Sequence, residues 1–292
     1  MILIDGKKIA QEIRAELKLD IEKLKSEGRD VPGLVAILVG DNPASESYVR
    51  GKAKACDEIG MRAITEKRSA EFPEKDLLEL IDSYNHNNKF HGILVQLPLP
   101  KHIDEDKVIE AISLKKDVDG FHPMSIGNLV IGKPAFRSCT PAGIQELLIR
   151  YKIETKGQHL VVLGRSNIVG KPIANIMLQK KEYANSIVTV CHSAAPDVSY
   201  YTKQADILIA AMGSPKFVKG DMVKDGVVVI DVGINRIEDQ SVSKGYRIVG
   251  DVDFDEVSKK ASYITPVPGG VGPMTIAMLL KNTFKAYKMY GE

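Results

Sequence analysis

The chain has 292 residues, an ordinary apolar fraction of 44% and a formal charge of +2. It is long enough for two α/β domains, and its balanced charge gives no support for a nucleic-acid or membrane-surface protein. Its apolar runs are strand-length rather than membrane-length, and its three cysteines (Cys56, Cys139, Cys191) have no close pairing. The cysteine usage fits a reducing compartment, and no histidine or cysteine cluster has metal-ligand spacing.

The amino end, Met1-Ile2-Leu3-Ile4-Asp5-Gly6-Lys7-Lys8, carries charge early and no signal-peptide core, so a cytoplasmic protein is expected. In chain order the patterning predicts a helix over 9–27, a strand at Leu34–Val39, a helix at Tyr48–Ile59 and a strand at Met61–Thr65. Next come a helix at Glu74–Asn87, a strand at Gly92–Val95 and a helix at Asp104–Ala111. Asp117–Arg137 is rich in Gly, Pro and polar residues and reads as active-site loops before a domain boundary. Thr140-Pro141 reads as an N-cap and first helical residue for a helix reaching Tyr151. Strands follow at Leu160–Leu163, Ile187–Val190, Ile207–Ala210 and Val227–Ile230, with helices at Pro172–Lys180 and Thr275–Met289.

Short apolar runs alternating with helix-period segments predict parallel βαβ units, and so an α/β fold of two domains. The expected division is 1–139 with 271–292, the terminal helix packing back, and 140–270.

Tyr48 and Lys52 are four residues apart, on one helical face, after a buried strand and the turn Gly40-Asp41-Asn42-Pro43. That places them beside the carboxyl end of a strand, where open α/β sheets bind ligands. The alternative is an exposed helix with an ordinary solvated lysine. Gln96 leaves the strand Gly92–Val95 into the proline-stiffened Leu97-Pro98-Leu99-Pro100. Asp117-Val118-Asp119-Gly120 offers two carboxylates, either as ligands or as an Asx-turn. Pro266-Val267-Pro268-Gly269-Gly270-Val271-Gly272-Pro273-Met274-Thr275 forms a stiff glycine-rich wall or a plain linker.

Leu160–Leu163 runs into Gly164-Arg165-Ser166-Asn167-Ile168-Val169-Gly170 and then a helix. A buried strand, a glycine turn and a helix start are what a dinucleotide pyrophosphate needs, because free N–H groups meet the anion there. Ser166 stands where a second glycine is usual. The next strand ends in Cys191-His192-Ser193 without the carboxylate that would bind an NAD ribose. Arg165 and Ser193 instead suit a ribose 2′-phosphate, so NADP is expected, with NAD as the alternative if Arg165 touches only the pyrophosphate or solvent. Gly213-Ser214-Pro215 and Asp231-Val232-Gly233-Ile234-Asn235 are strand-end loops where a Rossmann domain approaches its cofactor, with Ile234 a contact candidate.

Taken together, Ser45–Lys52, Gln96–Pro100, Lys116–Gly120, Gly164–Gly170 and the run ending at Thr275 resemble the methylenetetrahydrofolate dehydrogenase/cyclohydrolase family over essentially the whole chain. The resemblance implies a folate-binding catalytic α/β domain (1–139 and 271–292) and a Rossmann-type NADP-binding domain (140–270), with an active-site cleft between them. It implies NADP-dependent oxidation of 5,10-methylenetetrahydrofolate, hydrolysis of the methenyl product to 10-formyltetrahydrofolate, and a homodimer. By similarity Tyr48 stacks on the folate's aminobenzoate ring and Asp119 accepts hydrogen bonds from the pterin. Pro268 and Gly269 form a wall on the pterin side. Lys52 would carry the hydrolysis as general acid/base or as an electrostatic positioner, held by Gln96. His192 receives no catalytic role. A monofunctional NAD(P)-dependent dehydrogenase and a non-catalytic nucleotide-binding protein are the competing functions, and a shikimate-type dehydrogenase would share the architecture.

Overall fold

The structure is a computed structural model that describes residues 1–241 and 245–291. In chain order the elements are β1 (Ile2–Leu3), α1 (Gly6–Ser26), β2 (Gly33–Val39), α2 (Pro43–Ile59), β3 (Arg62–Arg68) and α3 (Glu74–Asn85). Then come β4 (Gly92–Val95), α4 (Glu105–Ala111), α5 (Pro123–Val130), α6 (Cys139–Arg150), β5 (His159–Leu163), α7 (Gly170–Leu178) and β6 (Ile187–Cys191). The remainder are α8 (Val198–Thr202), β7 (Ile207–Ala210), β8 (Val228–Asp231), β9 (Asn235–Glu238), β10 (Tyr246–Val249), α9 (Phe254–Val257), β11 (Tyr263–Ile264) and α10 (Val271–Tyr290).

The chain divides into two units: Met1–Ala10 with Thr140–Thr275, and Gln11–Cys139 with Ile276 onwards. The second unit holds a three-stranded parallel sheet ordered β3-β2-β4. Every residue of β2 is buried, because helices cover both faces of a parallel sheet and an unbroken apolar run (Leu34-Val35-Ala36-Ile37-Leu38-Val39) fills it. Each of its larger side chains contributes about 1.5–3 kcal/mol by leaving water. The sheet packs over Leu77, Ile81, Phe90 and Val108.

The other unit holds a six-stranded parallel sheet ordered β1-β11-β8-β7-β5-β6. Its central strands β5, β7 and β8 are almost wholly buried, whereas β6 at the edge leaves Ile187 64% and Val190 43% exposed. An antiparallel β9–β10 pair stands apart from this sheet.

The first ten residues belong to the six-stranded unit, not to the one expected from the sequence. The cause is β1, whose Ile2 and Ile4 amides donate to Ser262 and Ile264 carbonyls at 2.7 and 2.8 Å. Residues Val271–Thr275 also group there, so α10 changes units at Ile276. It starts at Val271, four residues earlier than expected, because Pro273 falls in the first turn, where a missing N–H costs nothing.

The Asp117–Arg137 stretch is not all loop: it contains α5, whose N-cap is His122, with Nδ1 accepting from the Met124 amide at 3.1 Å, followed by Pro123. Thr140 is not an N-cap either. It lies inside α6, and its hydroxyl pairs with that of Thr275 at 2.9 Å.

Candidate functional site

The two sheets share one topological device. In the smaller sheet β2 is central, β3 lies on one side and β4 on the other, so chain order reverses between β2 and β4. Ligands of open α/β sheets bind outside the carboxyl ends of the strands at such a switch point. From β2 the chain enters α2, capped by the Asn42 side chain, which accepts from the Ala44 and Ser45 amides at 2.9 and 3.2 Å. Ser45, Val49, Lys52, Cys56 and Ile59 form the buried stripe of α2, and Lys52 is the lysine on that stripe, 9% exposed. From β4 the chain emerges at Gln96, whose amide donates to Ile37 of β2 at 2.9 Å.

Here the two residues meet: Lys52 Nζ donates to Gln96 Oε1 at 3.0 Å. Gln96 Nε2 donates in turn to the Leu97 carbonyl at 2.7 Å, which fixes the orientation of its amide. An ammonium has three N–H donors, so two are left for other acceptors.

Asp119 reaches the same region along the segment beside β4, where Ile93 and Asp117 form a parallel bridge. Burial pushes its carboxyl upward, opposed by the positive charge of Lys52 and by the Cys139 thiol, which donates to Oδ1 at 3.7 Å. Gly120 next to it is left-handed (φ 70°), and a β-carbon there would lie 2.6 Å from the Arg137 carbonyl carbon. Asn282 of α10 braces both sides of the carboxylate, donating to the Val118 and Arg137 carbonyls at 2.8 and 3.0 Å. The neighbouring Asp117 is structural: its carboxylate accepts from the Phe121 and His122 amides and from Ser125 Oγ (3.1, 3.2 and 2.6 Å). Tyr48 stands on the margin of the α2 stripe, 45% exposed.

In the six-stranded sheet β5 is first in its series, with β6 on one side and β7 on the other, so the switch point lies between β5 and β7. The loop after β5 begins at Gly164, left-handed at φ 125°, where a β-carbon would lie 2.1 Å from the Ala211 carbonyl oxygen at the end of β7. A β-carbon at Gly170 would lie 2.3 Å from the Gly164 carbonyl oxygen, so both glycines are required for the strand, turn and helix to close. Ser166 Oγ accepts from the Val169 and Gly170 amides at 3.1 and 3.3 Å, capping the start of α7, while its own proton is free to donate. Arg165 and Ser193 are exposed, and among the described residues Arg165 makes no ion pair. The end of β6 carries no carboxylate, and His192 Nδ1 accepts from the Ala194 amide at 3.2 Å as part of the turn. This cradle fits a dinucleotide pyrophosphate, with a cationic side chain left over for a further phosphate.

Ile234, 52% exposed, follows β8 on the same carboxyl-end side. Pro268 and Gly269 (φ 110°) belong to this unit too, beyond β11, where the Gly269 carbonyl accepts from the Lys7 amide at 2.9 Å.

Sequence reasoning missed the parts that Cys139 and Asn282 play around Asp119, and missed Asp251, which forms a buried pair of carboxylates with Asp231 behind the loops after β7 and β8. For Asp251 the only local signal is a Gly-Asp step after a short, half-buried strand. All three cysteines are buried and free, and burial pushes the Cys56 thiol up to about 12.

A two-unit α/β protein with a dinucleotide cradle in one unit and a buried lysine–glutamine–aspartate cluster in the other has the make-up of a nucleotide-dependent dehydrogenase with a second polar site. Residues 4–119 match the catalytic domain, and residues 138–290 the NAD(P)-binding domain, of tetrahydrofolate dehydrogenase/cyclohydrolase. The bifunctional protein FolD of Chloroherpeton thalassium is 60% identical over 292 residues, covering 99% of both chains. The crystal structure of the bifunctional FolD methylenetetrahydrofolate dehydrogenase/cyclohydrolase from Campylobacter jejuni is 51% identical, with a TM-score of 0.93 and 99% of each chain covered. The Trypanosoma brucei dehydrogenase-cyclohydrolase, solved with NADP cofactor and an inhibitor, is 39% identical with a TM-score of 0.93, covering 99% of this chain and 98% of that one. The chain belongs to the tetrahydrofolate dehydrogenase/cyclohydrolase family.

Proposed function

We propose that the chain oxidises 5,10-methylenetetrahydrofolate with NADP and hydrolyses the resulting methenyl cation to 10-formyltetrahydrofolate, with Lys52 handling the protons of the second step. The observation that carries this division of labour is the Lys52–Gln96 hydrogen bond at the switch point of the smaller sheet.

NADP supplies the hydride acceptor. Gly164 and Gly170 admit its pyrophosphate, Ser166 donates to it, and Arg165 with Ser193 receives the 2′-phosphate. Ile234 lies against the cofactor. When hydride leaves the bridging carbon, the positive charge spreads over the two flanking nitrogens, so this step needs no base. In hydrolysis, water adds to that carbon, the carbon–N5 bond breaks, N5 gains a proton and one proton is released. Lys52 is the group that takes and returns these protons. Gln96 aims it, and Asp119 gives the pterin's N–H groups a carboxylate acceptor. Tyr48 offers its ring to the aminobenzoate, and Pro268-Gly269 a flat wall to the pterin.

The chain works as a homodimer, a reading supported by the apolar, unpaired β6 edge with Ile187 and Val190 exposed. A cytoplasmic location is supported by the three unpaired cysteines. Among the described residues no helix is long and apolar enough to cross a membrane.

The test is a spectroscopic assay with methylenetetrahydrofolate that compares NADP with NAD and follows the methenyl species separately from its decay. NADP-dependent oxidation with accelerated decay is expected. Oxidation with decay at the uncatalysed rate would leave a monofunctional dehydrogenase.

A further inference from the structure

Asp251 is completely buried, and its carboxylate accepts four hydrogen bonds. Oδ2 takes the Met212 and Gly213 amides at 2.6 and 2.9 Å, and Oδ1 takes the Ser214 amide and Asn235 Nδ2, each at 2.9 Å. Those donors come from two places, the loop after β7 (Met212, Gly213 and Ser214) and Asn235, the first residue of β9, where the loop after β8 ends. The carboxylate is itself aimed from behind. Asp231, at the end of β8, accepts from the Asp251 and Val252 amides at 2.9 and 3.0 Å, and the Asp251 carbonyl accepts from the Val218 amide at 2.9 Å. The approach is close enough to demand glycine: a β-carbon at Gly233 would lie 2.3 Å from Asp251 Oδ1, and one at Gly250 would lie 1.8 Å from Asp231 Oδ2.

A dinucleotide lies across the switch point of its sheet, one half on each side of the phosphate loop. With the 2′-phosphate read on the β6 side, the nicotinamide half falls to the loops after β7 and β8. We propose that Asp251 is a positioning residue for the dehydrogenase, its carboxylate pre-forming the two loops that receive the nicotinamide half of NADP. The inference rests on the placement of NADP at these strand ends. Four donors converging on one buried carboxylate leave the loops little to order on binding, and pre-organisation of this kind raises affinity.

Asp251→Asn separates this role from bulk stability. In either orientation the carboxamide turns an NH2 group against two N–H donors, which are then left unpaired. The full-length variant is compared with wild type for NADP dissociation constant, for KM of NADP and of methylenetetrahydrofolate, and for hydrolysis of methenyltetrahydrofolate supplied directly. The expected result is an NADP dissociation constant and KM raised at least tenfold, with folate KM and hydrolysis within twofold. NADP binding within twofold of wild type would overturn the proposal, as would parallel loss of both activities. Hydrogen exchange on the wild type without NADP gives a reading that does not depend on the variant folding. The Met212, Gly213 and Ser214 amides are expected to be protected at least a hundredfold, and unprotected exchange there would also overturn it. A wild type that fails to bind NADP at all would instead remove the cofactor placement itself.

Discussion

Lys52 and Gln96, 44 residues apart in the chain, are joined at 3.0 Å by a hydrogen bond between a helix and the end of a strand. Each is held by something else: Lys52 by the buried stripe of α2, Gln96 by β2 and by the Leu97 carbonyl. The amine therefore has one preferred direction before any substrate arrives. Removing it with Lys52→Ala should lower the cyclohydrolase rate by about 10²–10⁴, the range of positioned proton transfer. Part of the dehydrogenase activity and NADP binding should survive. Equal survival of both activities would take Lys52 out of the mechanism.

Gln96→Ala leaves the amine in place but unaimed. A hydrogen bond to a charged group contributes about 1.5–3 kcal/mol, so hydrolysis should slow by roughly 10- to 100-fold. Thermal melting should be unchanged within a degree or two, because Gln96 is only partly buried. A melting point that falls along with the rate would make Gln96 a structural residue.

Arg165 is exposed and makes no ion pair among the described residues. Arg165→Ala should therefore cost little stability and weaken NADP by about tenfold or more while leaving NAD nearly unaffected. The ratio of kcat/KM for the two cofactors measures this. An unchanged ratio means that the 2′-phosphate is read elsewhere.

Asp117 gives a pH dependence of definite sign. Burial raises its carboxyl from the ordinary 3.8 to about 6, against the pull of Ser125 and two backbone amides. The folded chain thus holds a proton there between about pH 4 and 6 that the unfolded chain has lost. Stability from this group is therefore greatest below that window and falls as pH rises through it. Urea unfolding of wild type and Asp117→Asn across pH 4.5–7 should show wild type losing ground to the variant as pH increases. A pH-independent difference would refute the shift.

The β6 edge predicts the assembly state. Ile187 is 64% exposed at the start of β6, at the end of the strand away from Ser193, so Ile187→Lys should leave the protomer folded. Light scattering should report a dimer for wild type and a weakened dimer or monomer for the variant. A monomeric wild type would remove the homodimer.

Much of the fold was legible in the sequence because parallel strands buried on both faces read as unbroken apolar runs. Leu34–Val39 and Leu160–Leu163 are of that kind, and the turns after them, Gly40-Asp41-Asn42-Pro43 and Gly164-Arg165-Ser166, mark the strand ends. Two-residue strands have no periodicity, so nothing in Ile2-Leu3 discloses that β1 pairs with Tyr263 and Ile264 of β11. Helix α5 was hidden because its N-cap is a histidine rather than one of the usual small polar residues. The role of Asp251 depends on Met212, Gly213 and Ser214, 37–39 residues away, and no local pattern encodes such a meeting.

The central position of β2 also orders events in time. It is made before both of its neighbours, and the lysine-bearing helix follows it at once, but the glutamine arrives only when β4 has crossed to the far side. In a chain that ends before Gly92, Lys52 has no Gln96 to direct its amine. Formation of the Lys52–Gln96 hydrogen bond thus reports completion of the sheet, and a partly folded chain displays an undirected lysine.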